Sequence, residues 1–350
     1  MRTALCSALA LLVASALCLP HAPTGDKKDP KKEEKKKAPP KGTFIDPKEG
    51  GPDYAIQGEY TGALDGGAKL GIQVIALGGD TFQAVVLPGG LPGEGWDGKN
   101  KILMHGVRAG DQVTFTPAEG KRNYLAGSPK QFSATSKFPP AGQKDYSATI
   151  SSASMTGKTD DGKGFTAAKV MRKSKTLGMK APEGAVVLFD GKDASKWREN
   201  RIADGLLPVE ANTKDAFKDF KLHLEFILPF QPGARGQGRG NSGVYLHGRE
   251  IQVLDSFGLD GKNNECGGIY GFTAPKVNMC YPPLTWQTYD VEIKPGKDEK
   301  TGKEGTRMTV WHNGVVIHEN IDFPGGAAPI HLQNHGNPVF YRNIWLVERK

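Results

Sequence analysis

The stretch NSGVYLHGREIQVLDSFG, Asn241 to Gly258, constrains the chain more than any other part of it. It sets His, Glu, Gln and Asp among valine, leucine and isoleucine. Side chains of a strand alternate between faces with period two. A single strand would therefore put Val244 and Leu246 on one face with Glu250 and Gln252, and Ile251 and Val253 on the other. Neither face would be clean. A two-residue turn resolves the conflict. With Gly248-Arg249 at its centre and Gly first, as a type II′ turn requires, His247 falls opposite Glu250 and Leu246 opposite Ile251. Tyr245 then faces Gln252, and Val244 faces Val253. One face is wholly apolar: Val244, Leu246, Ile251 and Val253. The other carries Tyr245, His247, Glu250 and Gln252, with cross-strand neighbours roughly 5 Å apart at Cβ. The sequence predicts a hairpin with one core face and one chemical face.

The same strand-and-turn grammar runs through the rest. From about Phe44 to Lys173, AKLGIQVIAL alternates Leu70, Ile72, Val74 and Ala76, and GGD turns into TFQAVVL. ILMHGV, QVTFTP, YSATISSASM and FTAAKVM follow, which suggests around seven strands in an antiparallel sandwich or partly open barrel. His105 stands alone there and reads as an ordinary histidine. The loop LPGGLPGEGWDG holds Trp96 and Glu94 beside glycines, a reading open to sugar contact or to plain turn chemistry. After GMKAPEG, FKLHLEFIL alternates Phe220, Leu222, Leu224 and Phe226 against Lys221, His223 and Glu225, a half-buried strand. MTVWHNGVVIHE is a second hairpin around Asn313-Gly314, and its flanking His312 and His318 are expected at the surface. In PIHLQ, Ile330 and Leu332 take the core side and leave His331 and Gln333 on the opposite face. Helix signals are nearly absent. The class is all-β, and a curved two-sheet jelly roll is the natural closure. The KTLGMKAPEG junction reads as a linker between an N-terminal β domain (44–178) and a C-terminal domain (183–350) that folds independently.

At 350 residues, with 46 Gly and 24 Pro, the chain suits two turn-rich β domains. The net charge of +8 is local: half of it comes from 25–42, with eight Lys and four acids. No Arg-rich helix accompanies it, so nucleic-acid binding is not expected. MRTALCSALALLVASALCLPHA (1–22) has the basic start, apolar run and small residues of a secretory signal and is too short to span a membrane well. The Leu before Cys18 makes a poor lipid-attachment site. Residues 23–43 then read as a solvated Lys/Pro-rich spacer, and the protein as secreted or held in the periplasm or cell envelope. Outside the signal only Cys266 and Cys280 remain, which favours one disulfide in an oxidising compartment, the alternative being two buried thiols. A zinc site would need more ligands than this stretch offers.

Six ordered blocks carry a resemblance: LFDGKDASKW, NSGVYLHGREIQVLDS, CGGIY, LTWQTYDVEI, WHNGVVI and PIHLQNHGNPVFYRNIWL. Over 183–350 the chain resembles the 3-keto-disaccharide hydrolase family, whose fold is similar to concanavalin A-like lectins and glucanases. The resemblance implies a jelly-roll sandwich binding carbohydrate on one sheet, with the N-terminal β domain as an accessory module. By motif it carries Glu250 and Gln252 over as the family's Glu-x-Gln pair, Asp255 as the Asp after it, and His335 as the His of LQNHG. His247 is not fixed by the motif and is a candidate on geometry alone. Asp255 reaches the polar face only if a bulge shifts the register.

The resemblance implies cleavage of 3-keto-glycosides or 3-keto-disaccharides. The ketone acidifies the hydrogen on carbon 2, a base removes it, and the glycosidic oxygen leaves carbon 1. Glu250 or His247 is the candidate base, with His335, Arg342 or a divalent metal ion steadying the oxyanion. Tyr245, Gln252, His331, Gln333 and Arg342 are candidate substrate contacts. Trp286 and Trp311 read as packing rather than sugar platforms. The rival reading is a non-catalytic, lectin-like envelope protein on the same scaffold.

Overall fold

The structure is a computed structural model that describes residues 41–349. The expected signal segment (1–22) and residues 23–40 of the expected spacer lie outside the described residues. A one-turn 3-10 helix and the helix α1 (Gly51–Ile56) precede the first strands. These are β1 (Gly58–Leu64), β2 (Lys69–Gly78), β3 (Thr81–Pro88), β4 (Ile102–Ala109), β5 (Gln112–Pro117), β6 (Asn123–Tyr124), β7 (Phe132–Ser133), β8 (Ser147–Ser151), β9 (Ser154–Lys158) and β10 (Gly164–Val170). Eight of them close a barrel in the order β1-β10-β9-β8-β5-β4-β3-β2. The short pair β6 and β7 runs parallel inside the connection from β5 to β8. The expected sandwich or partly open barrel is therefore a fully closed barrel. SATISSASM is a hairpin rather than one strand, because Ser152 takes φ 58° and turns the chain without the glycine that would mark the spot.

Closure gives β2 two buried faces. Leu70, Ile72, Val74 and Ala76 point into the barrel with Phe82, Val86 and Phe115. The alternate residues Ile75 and Leu77, with Val85, Leu87 and Leu103, join the apolar cluster of the second half of the chain. A strand covered on both sides reads as a continuous hydrophobic run, as β2 and β3 do.

The second half holds β11 (Val186–Phe189), β12 (Leu207–Pro208), β13 (Ala211–Asn212), β14 (Phe220–Ile227), β15 (Ser242–Leu246), β16 (Arg249–Val253), β17 (Gln287–Lys297), β18 (Glu304–His312), β19 (Val315–Phe323), β20 (His331–Leu332) and β21 (Phe340–Glu348). They form a larger sheet, β11-β21-β14-β17-β18-β19 with β12 on β21, and a smaller one, β13-β20-β15-β16. Phe220, Leu222, Leu224 and Phe226 of the larger sheet share one apolar cluster with Val244, Leu246, Ile251, Val253 and Leu332 of the smaller. The fold is all-β, a jelly-roll sandwich preceded by the barrel. Filling that space removes several large side chains from water, each worth about 1.5–3 kcal/mol.

The outer face of the larger sheet is not bare. His223 and Glu225, on the polar side of β14, are each 1% exposed. The junction around 174–180 lies across them: Thr176 Oγ1 donates to Asp290 Oδ2 at 2.6 Å, and the Gly178 N–H donates to Glu225 Oε1 at 2.6 Å. Beneath it His223 Nδ1 sits 2.6 Å from Asp290 Oδ1 and stacks on Trp345. His312 and His318, expected at the surface, are buried. The segment 267–280 covers that hairpin, with His318 Nε2 donating to Gly267 O at 2.7 Å and Asn313 Nδ2 to Met279 O at 2.8 Å. Burial lowers the His312 imidazole to about 3.

Candidate active site

The hairpin of the opening stretch exists, with its turn one residue earlier than expected. β15 pairs with β16 so that Tyr245 faces Glu250, Val244 faces Ile251 and Leu246 faces Arg249. The central turn residues are His247 (φ 46°) and Gly248 (φ 77°), both left-handed, as a type I′ turn requires. The II′ expectation fails because His247 has its own use. Its ring nitrogens lie 2.9 Å from Pro324 O and 3.0 Å from Phe217 O. The ring is packed beside Phe220 and Phe323. His247 is thus a buried turn residue, not a member of the polar face. The division into faces survives the shift, because moving the turn and the pairing together keeps Val244, Leu246, Ile251 and Val253 inward.

The outer face of the smaller sheet is a polar row. Tyr245 Oη donates to Glu250 Oε2 at 2.9 Å. β20 brings His331 opposite Tyr245, ring centroids 5.5 Å apart, and Gln333 Nε2 reaches Tyr245 Oη at 3.4 Å. On the other flank Gln252 Nε2 donates to Gln237 Oε1 (3.1 Å) and Asn241 Oδ1 (3.2 Å). Gly243 stands in the row between Tyr245 and the strand start. A Cβ there would fall 2.3 Å from Glu250 Oε1, so the glycine makes the seat of that carboxylate.

Three polar atoms of this row have no protein partner: Gln252 Oε1, His331 Nδ1 and Gln333 Oε1. Buried polar atoms are nearly always paired, and three orphans on one face are what a hydroxyl-rich ligand would satisfy. Glu250 is itself buried. Burial raises its carboxyl above the usual range, and the Tyr245 hydroxyl and nearby His335 pull it back only in part. Burial, then the hydrogen bond to Glu250, push Tyr245 up to about 12, so it stays a donor. His335 lies exposed on the loop after β20, close enough for its charge to be felt at Glu250.

Two other expected members are elsewhere. Asp255 is bound to Arg239, Oδ2 to Nε 2.6 Å, and that guanidinium reaches Ala76 O of the barrel at 3.3 Å. It is a buried tie between the two halves, and no bulge turns it outward. Arg342 lies on β21 in the larger sheet, donating to Glu225 Oε2 at 2.7 Å with its guanidinium over Trp286. It serves the outer face of that sheet, not the row. A cleft of about 380 Å³ on the same face, lined by Trp311, Trp345 and Val291, is likewise remote from Glu250. Among the described residues no three His, Cys, Asp or Glu side chains converge as a metal centre would need. Near Glu250 the reason is visible: Asp255 is held by Arg239, and both nitrogens of His247 face carbonyls. A divalent metal ion, one of the alternatives for steadying the oxyanion, does not fit this set.

The segment 267–270 extends the smaller sheet beyond β16. Gln252 N donates to Gly268 O and Gly267 N to Gln252 O, both at 2.9 Å, and Tyr270 N donates to Glu250 O at 3.0 Å. Ile269 pairs with Ile251 on the core side, so Tyr270 falls on the outer face beside Glu250. Sequence reasoning missed Tyr270, Gln237, Asn241 and Gly243. Only Asn241 and Gly243 carried a signal, since both stand in the alternation that begins the hairpin.

Cys266 and Cys280, expected as a disulfide, are free thiols in this structure, both buried. Cys266 Sγ lies 3.2 Å from Tyr289 Oη, and Cys280 Sγ donates to Tyr281 O at 3.5 Å. As small apolar groups they fill core space without a bond. Burial, reinforced by neighbouring Cys266, pushes the Cys280 thiol well up. Tyr289 Oη also donates to Gln252 O at 2.7 Å, so this cluster backs the row from within.

Fold and site together define a two-sheet β-sandwich domain whose smaller sheet presents a polar row on its outer face. Residues 184–347 match the family described as the 3-keto-alpha-glucoside-1,2-lyase-like domain, and the chain belongs to that family. It is 35% identical to a candidate glycosyl hydrolase of known crystal structure from Parabacteroides distasonis ATCC 8503, over 49% of this chain and 86% of that one, with a TM-score of 0.43. A second candidate glycosyl hydrolase from that organism is 18% identical over 52% of this chain and 99% of its own, TM-score 0.35. A third is 20% identical over 47% and 99%, TM-score 0.34. No curated protein matches.

Proposed function

We propose that the protein is an exported carbohydrate-active enzyme that cleaves 3-keto-glycosides, with Glu250 as the base. The observation that carries this reading is Glu250 itself: a buried carboxylate of raised basicity, held by Tyr245, amid three unpaired polar atoms. A base poised nearer neutrality than an ordinary carboxylate suits proton abstraction beside a ketone. Sugar hydroxyls donate to Gln252 Oε1 and Gln333 Oε1, and His331 Nδ1 takes a third polar contact. Glu250 accepts the proton from carbon 2 of the 3-keto sugar, and the C–H electron pair passes into an enediolate. Its collapse breaks the bond from carbon 1 to the glycosidic oxygen, which His335 protonates. Water then adds across the new double bond, its oxygen bonding carbon 1 and its released proton returning to His335 while carbon 2 recovers its proton from Glu250, for a net hydrolysis. An ordinary retaining glycosidase needs two carboxyls roughly 5–5.5 Å apart, and the row offers Glu250 with glutamines where a second acid would stand.

The test compares wild type with Glu250→Gln on a 3-keto-glucoside and on the parent glucoside. Loss of a general base costs about 10²–10⁴-fold in rate, while this near-isosteric change should alter stability by about 1 kcal/mol or less. Wild type is expected to cleave the keto sugar alone, and the folded mutant neither. Equal cleavage of both sugars would indicate conventional glycosidase chemistry, and binding without turnover a lectin.

A further inference from the structure

Six large hydrophobic residues are exposed among those described, and only two are aromatic: Tyr270 at 50% and Phe272 at 46%. They sit together, and they sit beside Glu250. Gly271 (φ 68°) separates them in a tight turn closed by Phe272 N donating to Ile269 O at 2.8 Å and Ile269 N to Thr273 O at 3.0 Å. The turn is fixed to the site strand through Tyr270 N and Glu250 O, 3.0 Å apart. Tyr270 is also near enough to Tyr245 to bear on the ionisation of that hydroxyl. Across the turn the Arg249 guanidinium stands over the Phe272 ring, 4.3 Å from its centroid, which holds the ring in place.

The sheet is therefore asymmetric about Glu250. On the β20 side lie Gln333 Oε1 and His331 Nδ1, both unpaired; on the far side lies an aromatic turn. A sugar over the turn would need hydroxyl partners there, and the charged side chain at hand, Arg249, is engaged with Phe272. A flat apolar ring needs none, and offset or edge contacts between rings are favourable in themselves. We infer that Tyr270, with Phe272 behind it, forms the leaving-group subsite, and that it selects glycosides whose aglycone is a planar aromatic ring. The inference rests on the reading of the Glu250 row as the reacting site.

The experiment measures kcat/KM on 3-keto-glucosides with a phenyl, a methyl or a second glucosyl leaving group. Because phenoxide leaves more readily than an alkoxide in every variant, the quantity read is the change in the phenyl-to-alkyl ratio: the wild-type ratio is expected to exceed that of Tyr270→Ala by about tenfold, the order of one well-made stacking contact with its buried area. Tyr270→Trp should restore the wild-type ratio. A preference for the glucosyl leaving group that vanishes in Tyr270→Ala would overturn the aromatic assignment, as would a ratio indifferent to the substitution. If no keto sugar is turned over at all, the proposed chemistry fails separately. Titration calorimetry with phenyl and methyl thioglucosides then decides the subsite: phenyl-selective binding lost in Tyr270→Ala upholds it, and equal binding of both overturns it.

Discussion

Tyr245 and Glu250 stand directly opposite each other on β15 and β16, and the tyrosine hydroxyl donates to Glu250 Oε2 at 2.9 Å. This one bond stabilises the ionised carboxylate against a burial that favours the neutral acid. Removing it should raise the Glu250 carboxyl further, because the opposing effect of burial remains. In Tyr245→Phe the acid limb of the pH–rate profile is expected to move to higher pH. Turnover at neutral pH should fall about tenfold or more, within the range for a weakened general base. A limb that moves to lower pH, or stays in place, would remove Glu250 from the role of base.

Gly243 offers a second approach to the same carboxylate that alters no polar group. A methyl at this position meets Glu250 Oε1 at 2.3 Å and its Cδ at 2.8 Å. The clash is with the end of a flexible side chain, so the carboxylate gives way before the backbone does. Gly243→Ala is expected to keep the fold, within about 1 kcal/mol since alanine also restrains the unfolded chain. Its activity should be cut as severely as in Glu250→Gln. Thermal melting paired with turnover checks both halves of the expectation.

How far the sequence already spoke can be judged on this hairpin. Period-two alternation sorted Tyr245, Glu250 and Gln252 from Val244, Leu246, Ile251 and Val253, because only that sorting leaves a clean core face. It misplaced the turn by one residue, since a histidine in a left-handed position is marked by two distant carbonyls, Pro324 O and Phe217 O, that local sequence does not announce. Asp255 was assigned to the row by motif and Arg342 as a substrate or oxyanion contact, yet each is claimed by another partner, Arg239 and Glu225. Burial of His223, His312 and His318 was hidden for the same reason: what covers them comes from 174–180 and 267–280. Tyr270 belongs to a segment that pairs with β16 through three backbone bonds, and nothing in its side-chain pattern signals that.

The ion-pair network under the junction makes stability depend on acid. Burial alone would raise Glu225, but His223, Asn343, Arg342 and the Gly178 N–H outweigh it and hold the carboxyl down to about 2. A depressed carboxylate contributes stability that is present above its unfolded value, near 4.5, and lost as pH falls toward 2. The shift sets an upper bound of about 3 kcal/mol on that contribution. His223 has the opposite sign: burial opposes its charge, Asp290 and Glu225 raise it, and its contribution is lost as pH rises through the folded value. Melting temperatures between pH 5 and pH 2 should fall steeply in wild type and less steeply in Glu225→Gln, which starts lower. Parallel curves would mean that Glu225 is already neutral in the folded protein.

The barrel bears on the site through the loop that precedes Tyr270. Asp260 accepts from Lys101 Nζ at 3.1 Å and from Ser136 N and Oγ at 2.7 Å, all from the barrel half. Glu265 takes the Tyr124 hydroxyl, with Gly261 N at 2.8 Å and Lys262 N at 2.9 Å. Three residues on, Gly268 O accepts from Gln252 N, so the loop held by the barrel is continuous with the edge of the polar row. Ile75, Leu77, Val85, Leu87 and Leu103 meanwhile share the sandwich's apolar cluster. A fragment of residues 183–350 loses both the clamp and the cover, against the independence that the Gly/Lys/Pro-rich junction suggests. Stripping cover from apolar side chains forfeits about 25 cal/mol per Å² exposed, to be set against the roughly 5–15 kcal/mol that domains typically retain. The expected result is a fragment that binds a hydrophobic dye and melts without a sharp transition. Adding the clamp-preserving barrel half in trans together with the junction, residues 41–182, should restore cooperativity if the two cores complete each other. A fragment that melts sharply and turns over substrate at the full-chain rate would show that the barrel serves neither the core nor the site.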